Sequence, residues 1–244
     1  DCINWYPDYI NEPLFQDLSS NWNCNLIRLA MYSEDYLKYP KENLAILHKG
    51  IEAAIASDMY VIVDWHILFD GDPTEYQEDA VDFFSRISAL YGDYPNVIYE
   101  VCNEPNGMRY DDPDSPVDWD NCIKPYAETV IEAIRENDPD NIIIVGTPTW
   151  SQDVDVASLN PIDGDNIMYT LHFYAATHKD ALREKLVRAL EAGVPVYISE
   201  CSICDASGNG AIDYDSAEKW KKLIYDYGLS FNAWSLSNKN ESSA

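Results

Sequence analysis

The chain has 244 residues, 46% of them apolar, with 16 basic against 43 acidic side chains and a formal net charge of −27. That imbalance argues against nucleic acid or an anionic membrane as partner, since a phosphate-binding face needs clustered Lys and Arg. No run of about 18 apolar residues is present, so no helical membrane span is expected. The charge fits a protein acting on a neutral polymer. The 18 Tyr and 7 Trp suit either ring stacking on a ligand or core packing.

The chain opens at Asp1 with no basic start and no apolar leader, which reads as a mature or trimmed chain. A first strand is expected at residues 26–32, where Arg28 lies inside an apolar run and, if buried, needs a carboxylate partner. Residues 43–57 carry Leu44, Ile46, Leu47, Ile51, Ala54 and Ile55 at helical spacing. A strand at 60–66 ends in His66, and a helix at 78–91 follows. The next apolar run, 97–103, should stop at Pro105, which has no N–H, leaving Asn103 and Glu104 at the strand's carboxyl end. Residues 111–120 are acidic with two prolines and read as one solvated loop rather than a calcium site. A helix at 124–137, a strand at 141–147 and a strand at 167–174 bearing His172 and Tyr174 come next. A helix at 179–192 stops at Gly193, a strand at 194–200 ends in Glu200, a helix covers 217–227, and a strand at 230–236 contains Trp234.

Such alternation implies a parallel sheet with helical crossovers in a single domain, residues 1–244. The expected fold class is α/β, a (β/α)8 TIM barrel with one strand poorly represented. A doubly wound open sheet is the alternative, but neither Gly-x-Gly-x-x-Gly after the first strand nor a phosphate-binding Gly-x-x-x-x-Gly-Lys-Ser/Thr occurs. The six cysteines, Cys2, Cys24, Cys102, Cys122, Cys201 and Cys204, are too sparse for a disulfide scaffold. Cys201-x-x-Cys204 has no second pair at zinc spacing, so buried thiols are the default reading. No metal and no cofactor is expected.

In a barrel the carboxyl ends of the strands converge on one face. Arg28, His66, Asn103, Glu104, His172, Tyr174, Glu200 and Trp234 would then share a pocket. Two carboxylates among an arginine, histidines, a tyrosine and aromatics suit glycoside hydrolysis, in which one carboxylic acid protonates the leaving oxygen and the other attacks carbon or activates water. A metal-dependent hydrolase using His66, His172 and His178 lacks the usual ligand spacing.

The chain resembles glycoside hydrolase family 5, in its bacterial endoglucanase branch. The resemblance rests on Ile27-Arg-Leu-Ala-Met-Tyr32, Val61-Ile-Val-Asp-Trp-His-Ile67, Ile98-Tyr-Glu-Val-Cys-Asn-Glu-Pro-Asn-Gly107, His172-Phe-Tyr-Ala-Ala-Thr-His178, Ile198-Ser-Glu200 with Asp205-Ala-Ser-Gly-Asn-Gly210, and Trp234-Ser-Leu-Ser-Asn-Lys239, in the family's order along nearly the whole chain. It implies a retaining, secreted endo-β-1,4-glucanase acting on cellulose or mixed-linkage β-glucan. Glu104 matches the general acid/base and Glu200 the nucleophile. Asn103 resembles the residue that binds the 2-hydroxyl at subsite −1. Arg28 and Tyr174 resemble the groups that tune the nucleophile, His66 and His172 resemble the subsite −1 pair, and Tyr32 is expected among the substrate-binding residues. Trp234 resembles the platform under the −1 sugar, Trp5 the −2 stacking residue and Trp150 the +1 one. Lys239 and Glu241 resemble polar contacts to distal sugars.

The chain departs from the family pattern in three places. The family has a full first strand before the position of Trp5 and a helix after the last strand, so a barrel lacking most of strand 1 and the final helix is expected. Where the family has an aromatic and Gly after its nucleophile, this chain has Cys201-Ser202, which predicts a looser loop. Alternatives are a mannanase or xylanase of the same family, and a truncated, weakly active glucan-binding barrel. The implied partner is a β-glucan or cello-oligosaccharide, with any carbohydrate-binding or dockerin modules lying outside this chain.

Overall fold

The computed structural model describes residues 7–243, so Cys2, Trp5 and the segment expected to hold the remnant of strand 1 lie outside the described residues. The chain divides into two compact units, Asp1–Gly146 with Ile162–Ile167, and Thr147–Pro161 with Met168–Ala244.

The first unit carries β1 (Leu26–Tyr32), β2 (Tyr60–His66), β3 (Val97–Glu100) and β4 (Ile143–Val145). They pair in chain order and all in parallel. Its helices are α1 (Glu12–Trp22), α2 (Ser33–Lys38), α3 (Pro40–Ala56), α4 (Gln77–Tyr91) and α5 (Lys124–Arg135). Helix α1, which the sequence reading did not include, buries Phe15 and Leu18, and Leu14, Phe15, Leu18 and Trp22 recur at helical spacing. Its ends also carry a signal. The side chain of Asn11 accepts from Leu14 N, and Asn23 closes the helix at φ 55°. The core beside β2 is aromatic, with Trp65 5.2 Å from Phe83 and 5.5 Å from Tyr36 between ring centroids.

The second unit carries β5 (Ile167–Tyr174) from Met168 onward, β6 (Val196–Ser202) and β7 (Phe231–Ala233), again parallel and in order. Its helical pieces are α6 (Pro148–Ser151), α7 (Val154–Ala157), α8 (Asp180–Glu191) and α9 (Tyr214–Tyr227). Asp213 caps α9 by accepting from Ser216 N, and Gly228 ends it at φ 62°. Trp220 anchors the helix. It stacks on Phe173 of β5 at 4.0 Å and donates its indole N–H to His178 O.

Strands β1, β2 and β5 keep their expected bounds, β6 starts two residues later and runs past Glu200 to Ser202, and the other three are shorter than expected. The strand foreseen at 97–103 ends formally at Glu100, although Val101 N still donates to Ile144 O and Asn103 N to Trp65 O. The strand foreseen at 141–147 loses its first residues because Asn141 turns, taking Asp138 Oδ1 on its N–H and giving its amide to Tyr94 O. The strand foreseen at 230–236 shrinks to three residues. Among the described residues no helix follows β7. The end of the acidic loop becomes a π-helical turn, Trp119–Ile123, capped by Asp118 and running into α5. The chain passes the end of β3 closely at Gly146, where a Cβ would meet Cys102 O at 2.4 Å.

Candidate active site

In the first unit the register decides which polar groups share a face. Residues paired across parallel strands point the same way, and alternate residues along a strand do too. Ala30 pairs with Asp64 and Asp64 with Glu100, while Tyr32 pairs with His66. Arg28, Tyr32, Asp64, His66 and Glu100 therefore lie on one side of β1–β3. Arg28, its side chain 5% exposed, is held by three partners there. Its Nε donates to Glu100 Oε2 at 2.6 Å, and its Nη2 reaches Asn103 Oδ1 at 2.7 Å and Asp64 Oδ2 at 3.0 Å. The carboxylate partner that a buried arginine requires is thus a pair, Asp64 and Glu100, neither of which the strand-end reading singled out. Both carried a sequence signal, as carboxylates inside apolar runs, one two residues before His66 and the other four before Glu104.

His66 Nδ1 lies 2.6 Å from Asp64 Oδ2, and the ring sits 4.3 Å from that of Tyr32. Asn103, 1% exposed, accepts from Arg28 on its oxygen and donates its amide to Ile67 O at 3.0 Å, with His66 Nε2 at 3.4 Å. This network fixes which end of the amide is nitrogen. Burial pushes the carboxyl of Asp64 up to about 7 against the pull of Arg28, and among the described residues its Oδ1 has no hydrogen-bond partner. Burial likewise pushes Glu104 up to about 7, opposed by Arg28 and assisted by the charge of Glu100.

In the second unit an irregularity aims the other carboxylate. Tyr197 pairs near Thr170, but Glu200 pairs with His172, so β6 advances three residues while β5 advances two. The same extra residue recurs against β7, where Ile198 pairs with Phe231 and Cys201 with Ala233. This bulge places Glu200, rather than Ser199, level with His172. Ser199 is absorbed locally, bonding Thr170 Oγ1 and lying 2.9 Å from His172 Nε2. The hydroxyl of Tyr174 donates to Glu200 Oε1 at 2.7 Å. His178 holds the backbone behind that tyrosine. Its Nδ1 accepts Tyr174 N–H at 2.8 Å, and burial lowers the imidazole to about 4, so it is neutral and able to accept.

The segment after Glu200 is tied on several sides. Cys201 O accepts from Trp234 N, its thiol donates to Asn232 O, and Ser202 O accepts from Ala175 N. Burial and the neighbouring Glu200 push the Cys201 thiol up to about 12. Trp234 is partly buried, and Lys239 Nζ lies 3.6 Å from Glu241 Oε1, so these two sequence-predicted residues pair with each other. Trp150 is 48% exposed on α6, a turn whose Thr149, Trp150 and Ser151 all have positive φ, 59°, 55° and 55°. Three consecutive non-glycine residues held left-handed carry backbone strain. Trp5 lies outside the described residues.

The arrangement predicts how stability depends on pH. The folded carboxyl of Glu104 lies above its unfolded value of 4.5. Its contribution is therefore fully present below about 4.5 and is lost as pH rises through about 7. Glu104→Gln is expected to flatten the fall of Tm between about pH 5 and 8 and to raise stability at pH 8 by about 2 kcal/mol, after allowance for partial exposure. Calorimetric scans of both proteins across that range check it, and parallel pH profiles would refute it.

Comparison with known proteins bears on the whole chain. The profile of the Cellulase family (glycosyl hydrolase family 5) matches residues 2–240. An endoglucanase of Clostridium saccharobutylicum is 45% identical over 244 residues, covering 99% of this chain and 53% of its own length. The chain spans about half the length of the relatives it matches. A thermostable, halotolerant GH5 cellulase from an Icelandic hot spring isolate superposes with a TM-score of 0.91 at 38% identity, over 99% of this chain and 76% of that one. The catalytic domain of Thermobifida fusca endoglucanase Cel5A gives 0.88 at 36%, over 97% and 77%, and has also been solved in complex with cellotetraose. The fold class is accordingly the α/β barrel expected from the sequence. With a family profile matched from residue 2 to residue 240, this chain belongs to glycosyl hydrolase family 5, the cellulases.

Proposed function

We propose that the protein is a retaining endo-β-1,4-glucanase, with Glu104 as acid/base and Glu200 as nucleophile. The observation that carries this reading is the unequal treatment of two strand-end carboxylates. Burial keeps a proton on Glu104 up to about pH 7, while Glu200 takes a hydroxyl donor from Tyr174. Support comes also from relatives that are named endoglucanases.

In the first step Glu104 gives its proton to the glycosidic oxygen as Glu200 forms a bond to the anomeric carbon, and the leaving chain departs as an alcohol. In the second, the Glu104 carboxylate takes a proton from water, the water oxygen attacks the same carbon, and Glu200 is released as a carboxylate. Asn103, fixed by Arg28, would donate to the 2-hydroxyl, where hydrogen bonds strengthen as charge develops on the ring. His66, His172, Tyr32 and Trp234 would line the −1 sugar, and Trp150 would carry the +1 sugar. Lys239 and Glu241 would meet distal sugars. A polymeric substrate does not cross a membrane, so the enzyme would act outside the cell.

The test is a product profile on carboxymethylcellulose, lichenan, xylan and mannan, with the first-formed anomer read by NMR. Cleavage of the two glucans with β-anomer formed first is expected. An α-anomer first would overturn Glu200 as nucleophile, and preference for mannan or xylan would overturn the glucan assignment. kcat/KM should fall as pH rises through about 7, since Glu104 must be protonated to act. A basic limb below pH 5 would remove Glu104 from that role.

A further inference from the structure

Phe69 is 85% exposed, yet the loop that carries it is firmly held. The aspartates that follow it, Asp70 and Asp72, are 4% and 3% exposed. Asp70 Oδ1 accepts Leu68 N at 2.8 Å, and its Oδ2 accepts the hydroxyl of Ser33. Asp72 takes the N–H and hydroxyl of Thr74 and the thiol of Cys122 on Oδ1, and Tyr110 N on Oδ2 at 3.0 Å. Between them Gly71 O accepts Asn106 N, with no room for a side chain, because a Cβ there would meet Asn106 O at 2.7 Å. Two buried carboxylates and a glycine thus clamp the loop after β2 to α2 and to the loop after β3. What they leave in water is an aromatic ring.

The position of the ring matters. Phe69 stands three residues beyond His66. Asn106, bonded to Gly71, donates its amide to the backbone oxygen of Glu104 at 2.8 Å. The loop bearing the ring is therefore fastened to the loop bearing the proposed acid. A second ring, Tyr110, is 58% exposed and hangs from the same Asp72. Exposed aromatics on a loop fixed by buried anchors are ready-made contact surfaces whose ordering cost is already met. The apolar face of a pyranose, with its axial C–H bonds, is the complement of such a ring. A net charge of −27 disfavours anionic polymers and leaves neutral ones unopposed.

We infer that Phe69 is a stacking platform for an additional glucose unit of the bound β-glucan, outside the ring whose bond is cut. The inference rests on the glucanase reading above and extends it to a distal subsite. It makes the enzyme sensitive to chain length, because only oligosaccharides long enough to reach the ring gain the contact.

The experiment measures kcat/KM for cellotriose through cellohexaose with the unaltered protein, Phe69→Ala and Phe69→Trp. In Phe69→Ala the ratio of cellohexaose to cellotriose should fall roughly tenfold. Phe69→Trp should restore it. An unchanged ratio, or an equal loss at every length, overturns the platform while leaving the glucanase reading intact. If the unaltered protein leaves cellohexaose uncut, the glucanase reading fails, and calorimetry with cellohexaose then decides the platform separately. Weaker binding to Phe69→Ala supports it, and equal or absent binding overturns it.

Discussion

Glu200→Gln should lower kcat/KM on carboxymethylcellulose by about 10^4-fold or more, as removal of a covalent nucleophile does in other hydrolases. The folded structure should survive, because the amide oxygen can still accept from Tyr174, which now donates to Glu200 Oε1. Glu104→Ala should behave differently, and the difference is diagnostic. On cellulose its loss should be about 10²–10⁴-fold, since an alkoxide leaving group needs its proton. On an aryl cellobioside with a strongly acidic phenol the first step needs no acid, so the glycosyl-enzyme should accumulate. Azide should then speed turnover and give a β-glycosyl azide. Mass spectrometry of trapped protein and NMR of the azide check both halves. Turnover by Glu200→Gln, or no response of Glu104→Ala to azide, would reverse or abolish the assignment.

The second large effect is one of stability. Arg28→Leu leaves Asp64 and Glu100 buried without the guanidinium that bridges them. Breaking a buried ion pair by removing one partner costs about 3–5 kcal/mol. For a chain of this size that lowers Tm by roughly 10 °C. The penalty is electrostatic, so it should shrink as Asp64, which burial already holds up at about 7, protonates, and the variant should recover part of the loss at pH 5. A second readout separates this from simple loss of packing. Arg28 holds the carboxyl of Glu104 down against burial, so its removal should move the basic limb of kcat/KM to higher pH. Thermal scans at pH 5 and 8, with pH–rate profiles on the residual activity, check the two together. A loss that is equal at both pH values would show that the arginine serves as filler.

Much of this was legible in the chain itself. Pro105 stopped a buried strand and set Asn103 and Glu104 at its end, because a residue without an N–H cannot continue the ladder. The alternation of short apolar runs with helical periodicity gave the fold class. The segment 12–22 was missed although Leu14, Phe15, Leu18 and Trp22 recur at helical spacing and Asn11 and Asn23 mark its two ends. Asp64 and Glu100 were overlooked for a physical reason. A carboxylate inside an apolar run is costly anywhere, and only its partner explains it. Local sequence names neither the partner nor its distance.

The sequence by itself determined which residues could carry chemistry and the order in which strands deliver them, since both follow from periodicity and from breakers. Only the tertiary structure decided how they are aimed. Register between β1, β2 and β3 set Arg28 among Asp64, Glu100 and Asn103. The extra residue in β6 turned Glu200 level with His172 and spent Ser199 on support. Both depend on hydrogen bonds between segments far apart in the chain. A one-residue slip, which leaves composition and local propensity unchanged, would send each side chain to the opposite face.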